Sequence, residues 1–121
     1  MEMLGIRDVA RESGISAHTL RYYERIGLIS DVARDDAGRR MYSEQDFGWI
    51  TFLTKLRLTG MPIRQMIAYA EMVRQGDHTK EERAQMLEAH RRAVRERIQE
   101  LEAMSDVLDR KISFYRDGET P

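Results

Sequence analysis

Hydrophobic positions recur every three to four residues through most of this chain, and the breaks between the stripes fall on glycine and proline. Ile6, Val9 and Ala10 share one helical face, so a short helix is predicted from Ile6 to Ser13. Gly14 interrupts it, and Ser16 stands where an N-cap belongs for a second helix over about Ala17–Ile26, which Gly27 ends. Residues 30–38 are turn-rich without a period, and Arg39-Arg40-Met41-Tyr42 reads as a short strand, so loop and strand together predict a small β-wing. Ser43 with Asp46 opens a third helix, whose first turn holds Glu44 and Asp46 where carboxylates suit the helix dipole. Its stripe runs through Phe47, Ile50, Leu53, Leu56 and Arg57 to Gly60. Pro62 reads as a first-turn proline of a fourth helix reaching about Arg74, with Ile63, Met66, Ile67, Ala70 and Val73 inward.

After a hinge at Gln75-Gly76-Asp77-His78, Thr79-Lys80-Glu81-Glu82 matches a capping box. From there the period changes to seven. Leu87, Val94, Leu101, Leu108 and Tyr115 form one series, and Ala84, Arg91, Ile98, Ser105 and Ile112 precede them by three. These are the d and a positions of a coiled coil, with polar Arg91 and Ser105 setting register at a cost in stability. Such a seam needs a partner. A second copy of the chain is the simplest one, giving an isologous homodimer; folding back on the chain's own helices is the alternative.

Composition adds boundaries. At 121 residues the chain has one compact domain and one long appended helix, and 34% charged residues against 41% hydrophobic suit a mainly α protein. No apolar run approaches the roughly 18 residues of a membrane span and no signal-like segment follows Met1, so a cytoplasmic protein with no membrane partner is expected. With no cysteine there is no disulfide, thiolate metal site or thiol sensor. Residues 1–75 hold 11 basic and 10 acidic side chains, so nucleic-acid affinity has to come from local clusters, Arg21/Arg25 and Arg34/Arg39/Arg40.

The segment Thr19-Leu20-Arg21-Tyr22-Tyr23-Glu24-Arg25-Ile26-Gly27-Leu28-Ile29, behind Gly14-Ile15-Ser16, is a basic and aromatic helix after a glycine turn. With Gly38, Arg40, Tyr42, Asp46, Phe52 and Gly60 in order and spacing, it resembles the signature of the MerR family of transcription regulators. The C-terminal half, through Gly76-Asp77, His90, Lys111-Ile112 and Tyr115, is loosely similar to the aldehyde-responsive branch. The resemblance implies a winged helix-turn-helix DNA-binding lobe over 1–75, a hinge at 76–78, a long antiparallel coiled-coil dimerisation helix over 79–116 and a disordered tail at 117–121. It assigns His18 and Arg21 to base edges, and Ser16, Thr19, Tyr22 and Tyr23 to phosphates or to packing against the wing. Arg34, Arg39, Arg40 and Tyr42 would clasp phosphates from the wing, and the amides at Gly60-Met61 would meet another phosphate. One of Tyr22 and Tyr23 is expected to be buried. Leu87, Val94, Ile98, Leu101, Leu108 and Ile112 would carry dimerisation.

Two departures stand out: Ser30-Asp31 occupies the place of the family's usual proline, and Arg39 replaces the aromatic that commonly follows Gly38. In the aldehyde-responsive branch a cysteine stands where this chain has Lys55, which could capture a carbonyl only if buried. Trp49, Phe52, Met66, Tyr69 and Met72 are either core or the lining of a small apolar pocket. His18, His78 and His90 have no ligand spacing, and neither a metal nor a cofactor is expected.

The expected function is sequence-specific transcription regulation: a homodimer bends and untwists promoter DNA for RNA polymerase, with an unknown small-molecule effector left open. The alternatives are an architectural, excisionase-like DNA-binding protein and a coiled-coil protein-interaction module. No catalytic constellation is present, so an enzyme is not expected.

Overall fold

The computed structural model describes residues 3–118. The chain divides into two units, Met1–Arg83 and Ala84–Pro121. The first contains β1 (Leu4–Gly5), α1 (Ile6–Ser13), α2 (Ala17–Arg25), β2 (Ala33–Arg34), β3 (Arg40–Tyr42), α3 (Glu44–Leu58) and α4 (Ile63–Gln75), and a 3₁₀ turn at Asp77–Thr79 leads into α5 (Lys80–Asp117).

The helix-turn-helix forms for local reasons. Gly14 closes α1 at φ +76°, and its amide donates to the Ala10 carbonyl at 3.0 Å; a residue with a Cβ would cost about 1–2 kcal/mol in that left-handed conformation. Two residues later the Ser16 hydroxyl accepts the Thr19 amide at 3.0 Å and starts α2. The angle between the helices is then held by packing. Val9, Leu20, Ile50, Leu53 and Met66, one or two from each of α1 to α4, are fully buried together with Leu28 and Met61.

The wing is a three-stranded antiparallel sheet in the order β1-β3-β2, with Leu4 opposite Tyr42, Ala33 opposite Met41 and Arg34 opposite Arg40. The hairpin agrees with the sequence reading; β1, two residues long, has too little length to show a period. At the entry to the wing Asp31 adopts φ 58°, which a proline ring held near −65° could not reach. Ser30-Asp31 therefore gives the chain a different turn from the one a proline would impose.

The capping box of α3 is formed in both directions: Ser43 Oγ accepts the Asp46 amide at 3.1 Å, and the Asp46 carboxylate accepts the Ser43 amide at 2.9 Å. Two details differ from the periodicity. Arg57 is exposed rather than part of the apolar stripe, because the stripe turns inward through Leu53 and Leu56. Pro62 is the N-cap of α4, in extended conformation, rather than a first-turn residue. At the far end, the Thr79 hydroxyl lies 2.7 Å from the Met72 carbonyl and 2.8 Å from that of Gly76, and accepts Arg83 Nε at 3.0 Å. It thus faces back to α4 instead of capping the last helix, and the 3₁₀ turn runs directly into α5.

The second unit is the greater part of α5, whose 38 residues extend roughly 57 Å at 1.5 Å per residue. Ile98, Leu101, Met104, Val107, Leu108, Ile112 and Tyr115 are exposed along it. Helix ends at Asp117; of the expected tail, residues 119–121 lie outside the described residues.

Candidate nucleic-acid interface

On α2, Leu20 and Tyr23 point into the core while His18, Arg21 and Arg25 point to solvent. Tyr22 is 37% exposed and the Arg25 guanidinium lies 5.4 Å from its ring centre, a cation–π contact that orders the outer surface. Tyr23 is only 4% exposed, so it belongs to the core and is removed from the set expected to touch DNA. Burial raises the pKa of its phenol, against the pull of the Arg57 guanidinium. One tyrosine of the pair is buried, as expected. Ser16 and Thr19 are joined hydroxyl to hydroxyl at 3.0 Å at the start of the helix.

The wing arginines are all held by carboxylates. Arg39 Nε lies 3.0 Å from Asp35 Oδ2, while Asp35 Oδ1 accepts the amides of Arg39 at 2.8 Å and Ala37 at 3.0 Å. The Arg39 amide is the largest influence lowering the Asp35 pKa, followed by an opposing desolvation and the Arg39 charge. Gly38 makes this turn at φ +79°, a conformation open to glycine at little cost. Arg34 and Arg40, opposite each other across β2 and β3, share one acceptor. Glu24 of α2 takes Arg34 Nη2 on Oε1 at 3.5 Å and Arg40 Nε on Oε2, and Arg34 Nη1 also donates to the Gly38 carbonyl at 3.2 Å. Glu24 received no role from sequence reasoning, although it stands inside the diagnostic segment. An acid three residues after Arg21 and next to Arg25 is not distinctive until the fold places the hairpin beside it.

Tyr42 is a second correction. Its side chain is fully buried and its hydroxyl has no hydrogen-bond partner among the described residues, so it cannot clasp a phosphate; it anchors β3 to the core, and burial raises its pKa. The amides of Gly60 and Met61 are also unavailable, because they donate to the Arg57 and Leu56 carbonyls at 3.1 and 2.9 Å and close α3.

A groove of about 420 Å³ separates the start of α2 from the end of α3 and the start of α4. Ser16, Thr19, Tyr22, Thr54 and Arg57 line it with hydroxyls and one guanidinium. Arg57 is therefore an interface candidate that the hydrophobic stripe concealed. Elsewhere in the unit the aromatic side chains pack on one another. Trp49 stacks on Tyr69 at 6.0 Å and 14° and Phe52 closes on both; Met66 and Tyr69 are buried core, while Trp49, Phe52 and Met72 are half-buried. Lys55 is exposed on α3 and lacks the burial that carbonyl capture requires. In the second unit, Leu87 and Val94 are half-buried, and Ile98, Leu101, Leu108 and Ile112 are exposed.

Comparison with known proteins agrees with this geometry. Residues 5–42 match the MerR family regulatory protein model and residues 48–111 match the model described as MerR, DNA binding. An uncharacterized HTH-type transcriptional regulator of Haemophilus influenzae is 38% identical over 107 residues, spanning 88% of this chain and 79% of its own. The HTH-type transcriptional regulator AdhR of Bacillus subtilis is 42% identical over 91 residues, 75% of this chain and 65% of its own length. Among solved structures, HiNmlR, a MerR family regulator lacking the sensor domain and bound to promoter DNA, superposes with a TM-score of 0.88 at 36% identity, over 95% of this chain and 91% of its own. These families and relatives are regulators, not enzymes. The first model spans the helix-turn-helix and its arginine-bearing wing and the second the helices that follow, and together they place this chain in the MerR family of transcription regulators.

Proposed function

We propose that the chain regulates transcription as a homodimer on promoter DNA. The observation that carries this reading is the solvent face of α2, with His18 and Arg21, beside a hairpin bearing Arg34, Arg39 and Arg40. Arg21 makes no side-chain ion pair among the described residues, leaving its fork available for a guanine edge in the major groove. The wing arginines would fix register on phosphates, and the groove formed by Ser16, Thr19, Tyr22 and Arg57 has the hydroxyls and charge for another phosphate. The promoter-bound state of the similar HiNmlR supports the assignment.

In this reading residues 1–75 are the DNA lobe, 76–78 the hinge and 79–116 the dimerisation helix. Leu87, Val94, Ile98, Leu101, Leu108 and Ile112 pair with a second, antiparallel copy and remove an exposed apolar stripe from water. Two clamped half-sites would supply the several kcal/mol that bending and untwisting the spacer costs, and RNA polymerase would engage the distorted promoter. The setting is cytoplasmic; among the described residues no helix is long and apolar enough to cross a membrane. An effector remains part of the proposal only as a small molecule of unassigned chemistry.

The test is fluorescence anisotropy of the purified chain on the DNA upstream of its own gene and on scrambled DNA, over a salt series. Saturable binding that beats scrambled DNA by roughly 10³ or more supports the reading; equal affinity for both sequences refutes it.

A further inference from the structure

We propose that Glu24 sets the specificity of the DNA-binding lobe, discounting wing charge in loose encounters while fixing two guanidinium groups for a seated one. This rests on the DNA-binding reading above. Arg34 and Arg40 are direct cross-strand partners, and two like charges placed opposite one another repel. The single carboxylate of Glu24 meets both, one oxygen to each, and joins α2 to β2 and β3. The Glu24 and Arg40 side chains are 22% and 21% exposed, whereas Arg34 is 45% exposed. Among the described residues Arg40 is engaged through Nε alone, so its terminal nitrogens keep donors for a phosphate.

A brace alone would not need this arrangement, because an apolar cross-strand pair packed on α2 does the same without desolvating three charges. What the triad adds is electrostatic. Loose, register-free binding follows net charge, and Glu24 cancels one of the two charges of Arg34 and Arg40 for it. A seated complex needs the guanidinium groups in fixed places, and Glu24 provides that as well. The near balance of 11 basic and 10 acidic side chains over residues 1–75 is consistent with a lobe that avoids general attraction to DNA.

The experiment compares the unmodified chain with Glu24→Gln and with Glu24→Gln/Arg40→Gln on upstream and scrambled DNA, from about 50 to 200 mM salt. Glu24→Gln is expected to raise scrambled-DNA affinity about three- to tenfold and steepen that salt slope by about 0.9. Upstream affinity stays level or falls, so the specificity ratio drops about tenfold. The double variant returns the slope to its original value. Unchanged slope and ratio, or a proportional fall in both affinities, overturn the proposal and leave the DNA-binding reading intact. Failure of the unmodified chain to bind either DNA overturns both. Should Glu24→Gln not fold, side-chain NMR of the unmodified protein decides. The Arg40 Nε proton is expected to exchange slowly in free protein; exchange as fast as that of exposed Arg21 overturns the proposal.

Discussion

Trp49→Phe tests how the recognition helix is anchored. The indole Nε1 donates to the Leu28 carbonyl at 2.8 Å, just beyond the end of α2, and Leu28 is 1% exposed. The ring also stacks on Tyr69 at 6.0 Å and 14°. Phenylalanine keeps an aromatic face for Tyr69 and removes only the donor and part of the ring area. Losing the hydrogen bond removes about 1 kcal/mol, and a carbonyl left dry adds about 1–3 kcal/mol. We expect destabilisation of about 2 kcal/mol, and at roughly 4–8 °C per kcal/mol for a domain of this size the melting temperature falls by about 8–16 °C. The assay is urea and thermal unfolding by circular dichroism at one fixed chain concentration, because association makes stability concentration-dependent. A loss below about 0.5 kcal/mol refutes the reasoning, since it would mean that water satisfies the carbonyl and the indole does not hold α2.

Three further outcomes follow from the same structure. Tyr42→Phe removes a buried hydroxyl that has no partner among the described residues, so stability should stay within about 0.5 kcal/mol or rise; a tenfold loss of DNA affinity would return Tyr42 to the interface. Leu101→Glu places a charge on the exposed seam of α5 and should yield monomers in sedimentation; a dimeric variant would refute the heptad assignment. Because the Asp35 pKa is lowered in the folded chain, its contribution to holding the wing turn is present above the unfolded value near 3.8 and is lost as pH falls through the folded value. The Ala37 and Arg39 amide resonances should report this in an acid titration; no movement of either would show that the carboxylate does not hold the turn.

The sequence revealed most where structure is set locally. Gly14 and Ser16 signal the turn and the start of α2, Ser43 and Asp46 signal α3, and all act through neighbours within a few residues. What it concealed depends on contacts distant along the chain. Glu24 acquires its role only when a hairpin 10 to 16 residues further on lies against α2. Tyr42 reads as a surface wing residue until α1 and α3, distant along the chain, pack against β3 and the side chain is buried. Arg57 failed for another reason: it falls at a spacing that fits the apolar stripe, and its long side chain reaches outward from the flank of α3. Thr79 matches a capping motif by residue type, yet its hydroxyl meets the Met72 carbonyl of the preceding helix and that of Gly76 just after it.

The bare seam of α5 has a consequence for dosage. Seven large apolar side chains from Ile98 to Tyr115 are exposed on the single chain, and in the proposed homodimer, where a second copy covers this stripe, assembly would be second order in copy number. At low abundance, dimer concentration and hence operator occupancy would rise with the square of the number of chains. A modest increase in synthesis would then produce a disproportionate response, so the helix surface would itself supply a threshold, without any ligand.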